Sequence, residues 1–238
     1  NTTGTQNVAV GSGALDANTT ASFHTAVGYL ALSANTTGSD NLAIGSYSLD
    51  ANTTGSTNVA VGGSALGSNT TASNNTAVGS NALASNTTGT KNVAIGSLSL
   101  DANTTASFNT SIGFASLSTN TTGTNNTAIG SNALDVNTTG GQNTAVGAFS
   151  LDANTTANSN TGLGYQSLTT NTTGAGNVGV GSNALRDNST ADYNTAVGDQ
   201  ALLLNSTGAN NTAIGAFALD ANTTASNNVA VGYLALTK

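Results

Sequence analysis

The sequence predicts an all-β fold: a parallel β-solenoid, or β-roll, of fourteen 17-residue coils forming a single repetitive domain over residues 1–238. Three observations predict it. The first is arithmetic, since 238 residues factor as 14 × 17, and a register set at Asn1 places an Asn at every seventeenth position through Asn18, Asn35 and onward to Asn222. Within each coil the first (Asn), third (Thr), eleventh (Gly) and fifteenth (Leu) positions never vary, and the tenth is always Val, Ile or Leu. The second is the length of the repeat: helical solenoids need roughly 30 or more residues for two helices and their turns. The third is composition. Leu, Ile, Val and Phe number 21, 5, 14 and 5, together 45 of 238 residues, too few for an ordinary mixed core, so strict repetition and association are the remaining routes to order.

Each coil position has its own reason. Asn75-Thr76-Ala77-Val78-Gly79 alternates with period two, which predicts a short strand with positions eight and ten on one face and the small ninth residue on the other. Gly79 and its counterparts close that strand, through a positive φ or because a neighbouring backbone passes too close for a Cβ. Leu83 lies beyond the turn, where it is expected to meet Val78 across a thin interior. Stacked coils then set Asn18, Thr20 and Asn75 above their equivalents as ladders of amides and hydroxyls. At roughly 4.8 Å per strand, fourteen coils would make a rod of about 67 Å.

The variable positions carry a second message. All ten aromatic residues fall at coil positions six, twelve and thirteen. Phe23, Phe108 and Tyr193 occupy the sixth, Tyr29, Phe114, Tyr165 and Tyr233 the twelfth, and Tyr47, Phe149 and Phe217 the thirteenth. Positions that also accept Gly63, Lys91, Gln166 and Asp199 are not a tight core, so Phe23, Tyr29, Tyr47, Phe108, Phe114, Phe149, Tyr193 and Phe217 are candidate exposed contacts. An 85-residue, five-coil superperiod is also visible: Phe23, Phe108 and Tyr193 recur at that spacing, as do Asp50, Asp135 and Asp220. Duplication of a five-coil block explains it, and recurring lateral contacts in a fibre are the alternative.

Little catalytic chemistry is legible. There is no Cys, and the single His24 stands where every other coil has Asn, so no catalytic dyad or metal cluster is expected and no cofactor is implied. The aspartates at position sixteen skip coils and read as a solvated acidic edge. Three basic residues against ten aspartates argue against nucleic acid. No apolar run of about 20 residues exists to span a membrane. The start at Asn1 has the look of a processed product or an excised part of something longer. Each coil opens with Asn-Thr-Thr or Asn-Ser-Thr, the N-glycosylation acceptor pattern, although stacking alone accounts for these residues.

Asn-Thr-Ala-Val-Gly at 75–79, Asn-Thr-Ala-Ile-Gly at 126–130 and 211–215 and Asn-Val-Ala-Ile-Gly at 92–96, each followed after two residues by Ala-Leu or Ser-Leu, resemble the head repeats of trimeric autotransporter adhesins. Related repeats occur in phage tail fibres and other surface proteins. The resemblance implies a left-handed parallel β-roll, packing of three chains and binding to matrix or host surfaces. It departs in coil length, which in that family is nearer 14 residues, and the barrel, stalk and neck are missing. The expected function is a non-enzymatic structural or adhesive rod of an extracellular, cell-surface or virion fibre, self-associating as a trimer and meeting a surface, matrix or glycan receptor. Coils one and fourteen read like the middle ones, so an end-to-end filament subunit is an alternative. Ice binding by Thr2-Thr3 and their equivalents is another, weakened because adjacent strand residues face opposite ways.

Overall fold

In the computed structural model, which describes residues 1–237, the chain is all-β, with fourteen three-residue strands at coil positions eight to ten and no helix among the described residues. It divides into two compact units, Asn1–Thr122 and Gly123–Lys238. The first carries β1 (Val8–Val10), β2 (Thr25–Val27), β3 (Leu42–Ile44), β4 (Val59–Val61), β5 (Thr76–Val78), β6 (Val93–Ile95) and β7 (Thr110–Ile112). The second carries β8 (Thr127–Ile129), β9 (Thr144–Val146), β10 (Thr161–Leu163), β11 (Val178–Val180), β12 (Thr195–Val197), β13 (Thr212–Ile214) and β14 (Val229–Val231). Within each unit every strand pairs in parallel with the next, displaced by one coil: Thr76, Ala77 and Val78 face Val93, Ala94 and Ile95, and Thr195, Ala196 and Val197 face Thr212, Ala213 and Ile214. Equivalent residues therefore stack, as a 17-residue solenoid requires.

Both reasons for glycine at position eleven operate together. Gly79 has φ +137°, and a Cβ there would lie 2.5 Å from the carbonyl oxygen of Gly96 one coil on. Two tight turns follow. Ala82 N–H donates to Gly79 C=O and Asn86 N–H to Leu83 C=O, each at 3.3 Å. The third residue of the first turn, coil position thirteen, has a positive φ whether it is Asn81 (55°), Leu98 (57°) or Phe149 (57°), and Leu83 shares it at 52°. A left-handed non-glycine residue costs roughly 1–2 kcal/mol, which the stacked interior has to offset.

That interior is narrow. In the fifth coil Asn69, Ala72, Asn75, Ala77, Ala82 and Leu83 are all buried, and Leu83 is the one large side chain among them. The expectation that Val78 meets Leu83 is therefore corrected: the strand presents Ala77 inward, while positions eight and ten face out, with Ile95 39% and Leu163 45% exposed. The reason is space. At Gly162, where β10 lacks the usual Ala, an added Cβ would sit 2.5 Å from Ser150 Oγ and 3.4 Å from Leu151 Cγ. Only small residues fit, the largest being Ser111, whose hydroxyl is held by Ser99 Oγ and the Ser116 carbonyl, so period-two alternation sends the β-branched neighbours outside.

Two asparagine ladders fill the rest. Asn69 Nδ2 donates to Asn52 Oδ1 at 2.9 Å and to the Ala72 carbonyl at 3.0 Å. In the second ladder Asn75 N–H donates to Asn58 Oδ1 at 3.0 Å, and its Nδ2 to the Gly89 carbonyl at 2.8 Å. Asn18 takes part in the first ladder, its Nδ2 reaching the Ala21 carbonyl at 3.0 Å. Burying so many amides is tolerable because each finds partners, whereas an unpaired buried amide costs several kcal/mol. Thr20 differs. The invariant threonine of position three is exposed in every coil, and it is the second-position threonine that bonds along the stack, as Thr53 Oγ1 does to the Thr70 carbonyl at 3.1 Å.

Candidate binding surfaces

The titratable groups are few and separate. His24 is buried within the second asparagine ladder: its N–H donates to Asn7 Oδ1 at 2.9 Å, and its ring Nδ1 accepts the Asn41 N–H at 3.3 Å. Burial holds its pKa below 6.5, against weaker opposing pulls that include the Gly38 carbonyl and Asp40. Among the described residues no group of three or more His, Cys, Asp or Glu side chains comes together as a metal site. Arg186 pairs with its neighbour Asp187 at 2.7 Å, and Lys91 Nζ lies 5.0 Å from the centre of the Phe108 ring. A hollow in the last coil is lined by Leu219, Asn222, Thr223, Asn228 and Leu236, residue types that fill the interior elsewhere.

The surface is organised in longitudinal columns. On the outer strand face, position eight contributes Thr, Val or Leu and position ten Val, Ile or Leu, so neither column contains a charge. The sixth-position aromatics Phe23, Phe108 and Tyr193 form a second, sparse column and are more than half exposed. Along the turn, Tyr29, Tyr47, Phe114 and Phe149 are exposed, and Phe217 is half-buried.

The turn aromatics are paired. Tyr29 and Tyr47 meet edge to face with ring centroids 5.3 Å apart and planes at 86°. Phe149 meets Tyr165 at 6.3 Å and 88°, and Phe217 meets Tyr233 at 6.2 Å and 81°. The pairing of Tyr165 and Tyr233 with thirteenth-position rings is not an expectation of the sequence reading. The available signal was a separation of one coil plus or minus one residue, 16 for Phe149–Tyr165 and Phe217–Tyr233 and 18 for Tyr29–Tyr47, which brings positions twelve and thirteen of neighbouring coils side by side. An aspartate follows each thirteenth-position aromatic three residues on: Asp50, Asp152 and Asp220. Burial raises the pKa of Asp50 and of Asp152, and hydrogen bonds, including one from Thr169 Oγ1 to Asp152, only partly offset this.

No helix of the described residues is long and apolar enough to cross a membrane. No protein-family model, curated protein or solved structure matches the chain. The β-solenoid is thus established by its own geometry, and the functional reading rests on the surfaces just described.

Proposed function

We propose that this chain is a non-enzymatic structural and adhesive segment of an extracellular surface or tail fibre, built by side-by-side association of copies of the chain. The observation that carries this reading is the outer strand face. In each unit seven strands, about 34 Å of sheet at the usual strand spacing, present two uncharged columns of Thr, Val, Ile and Leu to solvent. Exposed contiguous apolar surface of that kind is characteristic of contact sites, and parallel in-register columns are self-complementary along their length. The resemblance to adhesin head repeats agrees, with three copies as the expected number. Light scattering with negative-stain microscopy on the purified chain tests it: discrete rods of three chains are expected, and Ile95→Lys should return the chain to monomer while its sheet signal persists. A wild-type chain that stays monomeric at high concentration would overturn it. Long filaments would instead favour end-to-end assembly.

Ice binding is a second reading that the same face favours. Thr at position eight and Val or Ile at position ten lie two residues apart on one side of the strand, as in Thr76 and Val78, a better-ordered array than the adjacent threonines of positions two and three. Thermal hysteresis by the monomeric Ile95→Lys variant's parent, absent from the variant, would move the assignment there.

A further inference from the structure

We propose that the paired aromatics of the turn edge, each with the aspartate that follows its thirteenth-position member, are repeated receptor sites for an alkylammonium cation, the chemistry shared by choline head groups and methylated lysine side chains. This names a partner class for the adhesive half of the reading above and rests on it.

The first support is co-occurrence. Position thirteen holds a bulky aromatic three times, at Tyr47, Phe149 and Phe217, and position sixteen of the same coil is Asp each time. Leu98 with Asp101 repeats the arrangement, with Phe114 supplying the twelfth-position ring from the next coil. Of the ten other coils only two carry Asp at position sixteen, Asp16 and Asp135. Every aromatic at positions twelve and thirteen therefore belongs to one of four clusters, two in each unit. In the second unit the two clusters lie four coils apart, as Phe149 and Phe217 do, about 19 Å by strand spacing; in the first, Asp50 and Asp101 are three coils apart.

The second support is that the fold does not ask for these residues. Position thirteen has a positive φ, and Asn81, Asn132 and Asn183 meet that need with a side chain suited to it. Tyr47, Phe149 and Phe217 hold the same conformation at φ 57–58°, while Tyr29, Tyr165 and Tyr233 remain 49%, 51% and 71% exposed. The positive φ falls on the thirteenth-position rings and the greater exposure on the twelfth-position rings, and the coil requires neither, since other coils place Asn or Ser at these positions.

The third is shape and charge. Rings at 81–88° to one another give two perpendicular walls rather than the single flat platform a sugar ring stacks on. A rounded cation sits in such a corner against the open π face of the edge-on ring and the uncovered flank of the other. The carboxylate three residues on supplies the countercharge, and in the first cluster Asp50 is close enough to Tyr47 to act on it electrostatically. Neither Lys91 nor Arg186 belongs to a cluster, since Lys91 contacts Phe108 at position six and Arg186 pairs with Asp187.

Choline chloride titrated into the full chain, with the Tyr and Phe ring resonances followed by NMR, tests the proposal. Two ring contacts and a carboxylate predict saturable shifts with a Kd of about 1 mM. The uncharged isostere 3,3-dimethylbutanol should bind about tenfold more weakly. Tyr165→Ala should abolish the response of Phe149, and Asp220→Asn should weaken the Phe217–Tyr233 response about threefold or more, both with unchanged circular dichroism. Binding of phosphatidylcholine vesicles or of a trimethyl-lysine peptide then identifies the source of the cation. No saturable shift with choline, an equal response to the neutral isostere, or a response only to a neutral oligosaccharide overturns the proposal. Because the titration reads the clusters alone, it can fail while the assembly measured by light scattering stands.

Discussion

The two faces of one three-residue strand obey opposite rules. Inward, position nine accepts only Ala, Ser or Gly, and at Ala77 it is wholly buried. Outward, Val78 and its equivalents are large and β-branched yet lie partly in water. In a globular domain the larger apolar residue would be the buried one. Here the coil has so few residues that its two sides nearly touch, and a single leucine per coil fills the gap. The difference teaches that in a thin solenoid side-chain size is read against the space the coil leaves, and that outward apolar columns are a surface property which only another molecule or a bound lattice can satisfy.

The comparison breaks most visibly if the two faces are truncated in turn. Leu83→Ala should cost roughly 2–5 kcal/mol, because it empties the one large side chain of its coil and the backbone on both sides is held by neighbouring coils. Val78→Ala should cost under about 1 kcal/mol in the monomer, since its side chain faces out and is already partly hydrated. Chemical denaturation of the monomeric background reads both, and a Val78→Ala loss equal to that of Leu83→Ala would mean that the strand faces are assigned the wrong way round. Asn86→Ala sharpens the same contrast with a polar residue. It removes the donor to Asn69 Oδ1 at 3.0 Å and the acceptor of Asn103 Nδ2 at 2.8 Å, and should cost about 2 kcal/mol through the unsatisfied amide oxygen. Thr88→Ala, at the invariant but exposed third position of the same coil, should fall within about 0.5 kcal/mol of the parent.

Much of the fold was legible because repetition leaves little freedom. The period, the strand at positions eight to ten, the closing glycine and the asparagine ladders follow from spacing and residue type. The inward direction of the strand was not legible. Alternation separates Val78 from Ala77 but does not say which side is inside, and the usual preference for burying the larger residue pointed the wrong way. Invariance was similarly ambiguous, since Asn69 never varies because its amide bonds along the stack, while Thr71 never varies and yet faces water. The aromatic pairs needed the turn geometry. Phe149 and Tyr165 are 16 residues apart in the chain, and only the offset between positions twelve and thirteen of successive coils brings their rings together.

His24 offers the finest test of the interior, because it places a titratable group in a column of amides. Its Nδ1 accepts the Asn41 N–H and its Nε2 lies 3.2 Å from Asn35 Nδ2, while the Gly38 carbonyl is among the groups that oppose the lowering of its pKa. A second proton on Nδ1 would face a backbone donor with no acceptor between them. The folded-state pKa, depressed chiefly by burial, lies below the unfolded value near 6.5, so the unfolded chain binds the proton more readily. The stability tied to the neutral ring is therefore complete above pH 6.5 and is lost as pH falls from there through the folded pKa. Asp50 and Asp152 run the other way: their raised pKa values mean that burial costs stability while they are charged, a cost relieved as pH falls through their folded values and absent below the unfolded 3.8. Amide hydrogen exchange at Asn41, corrected for intrinsic rates, should thus show protection declining between pH 7 and 5 in the parent. His24→Asn restores the residue used by every other coil and should remove that decline. An Asn41 protection curve of the same form in both proteins would mean that the ring is not held by the ladder, and that the interior tolerates a charge which its geometry argues it cannot.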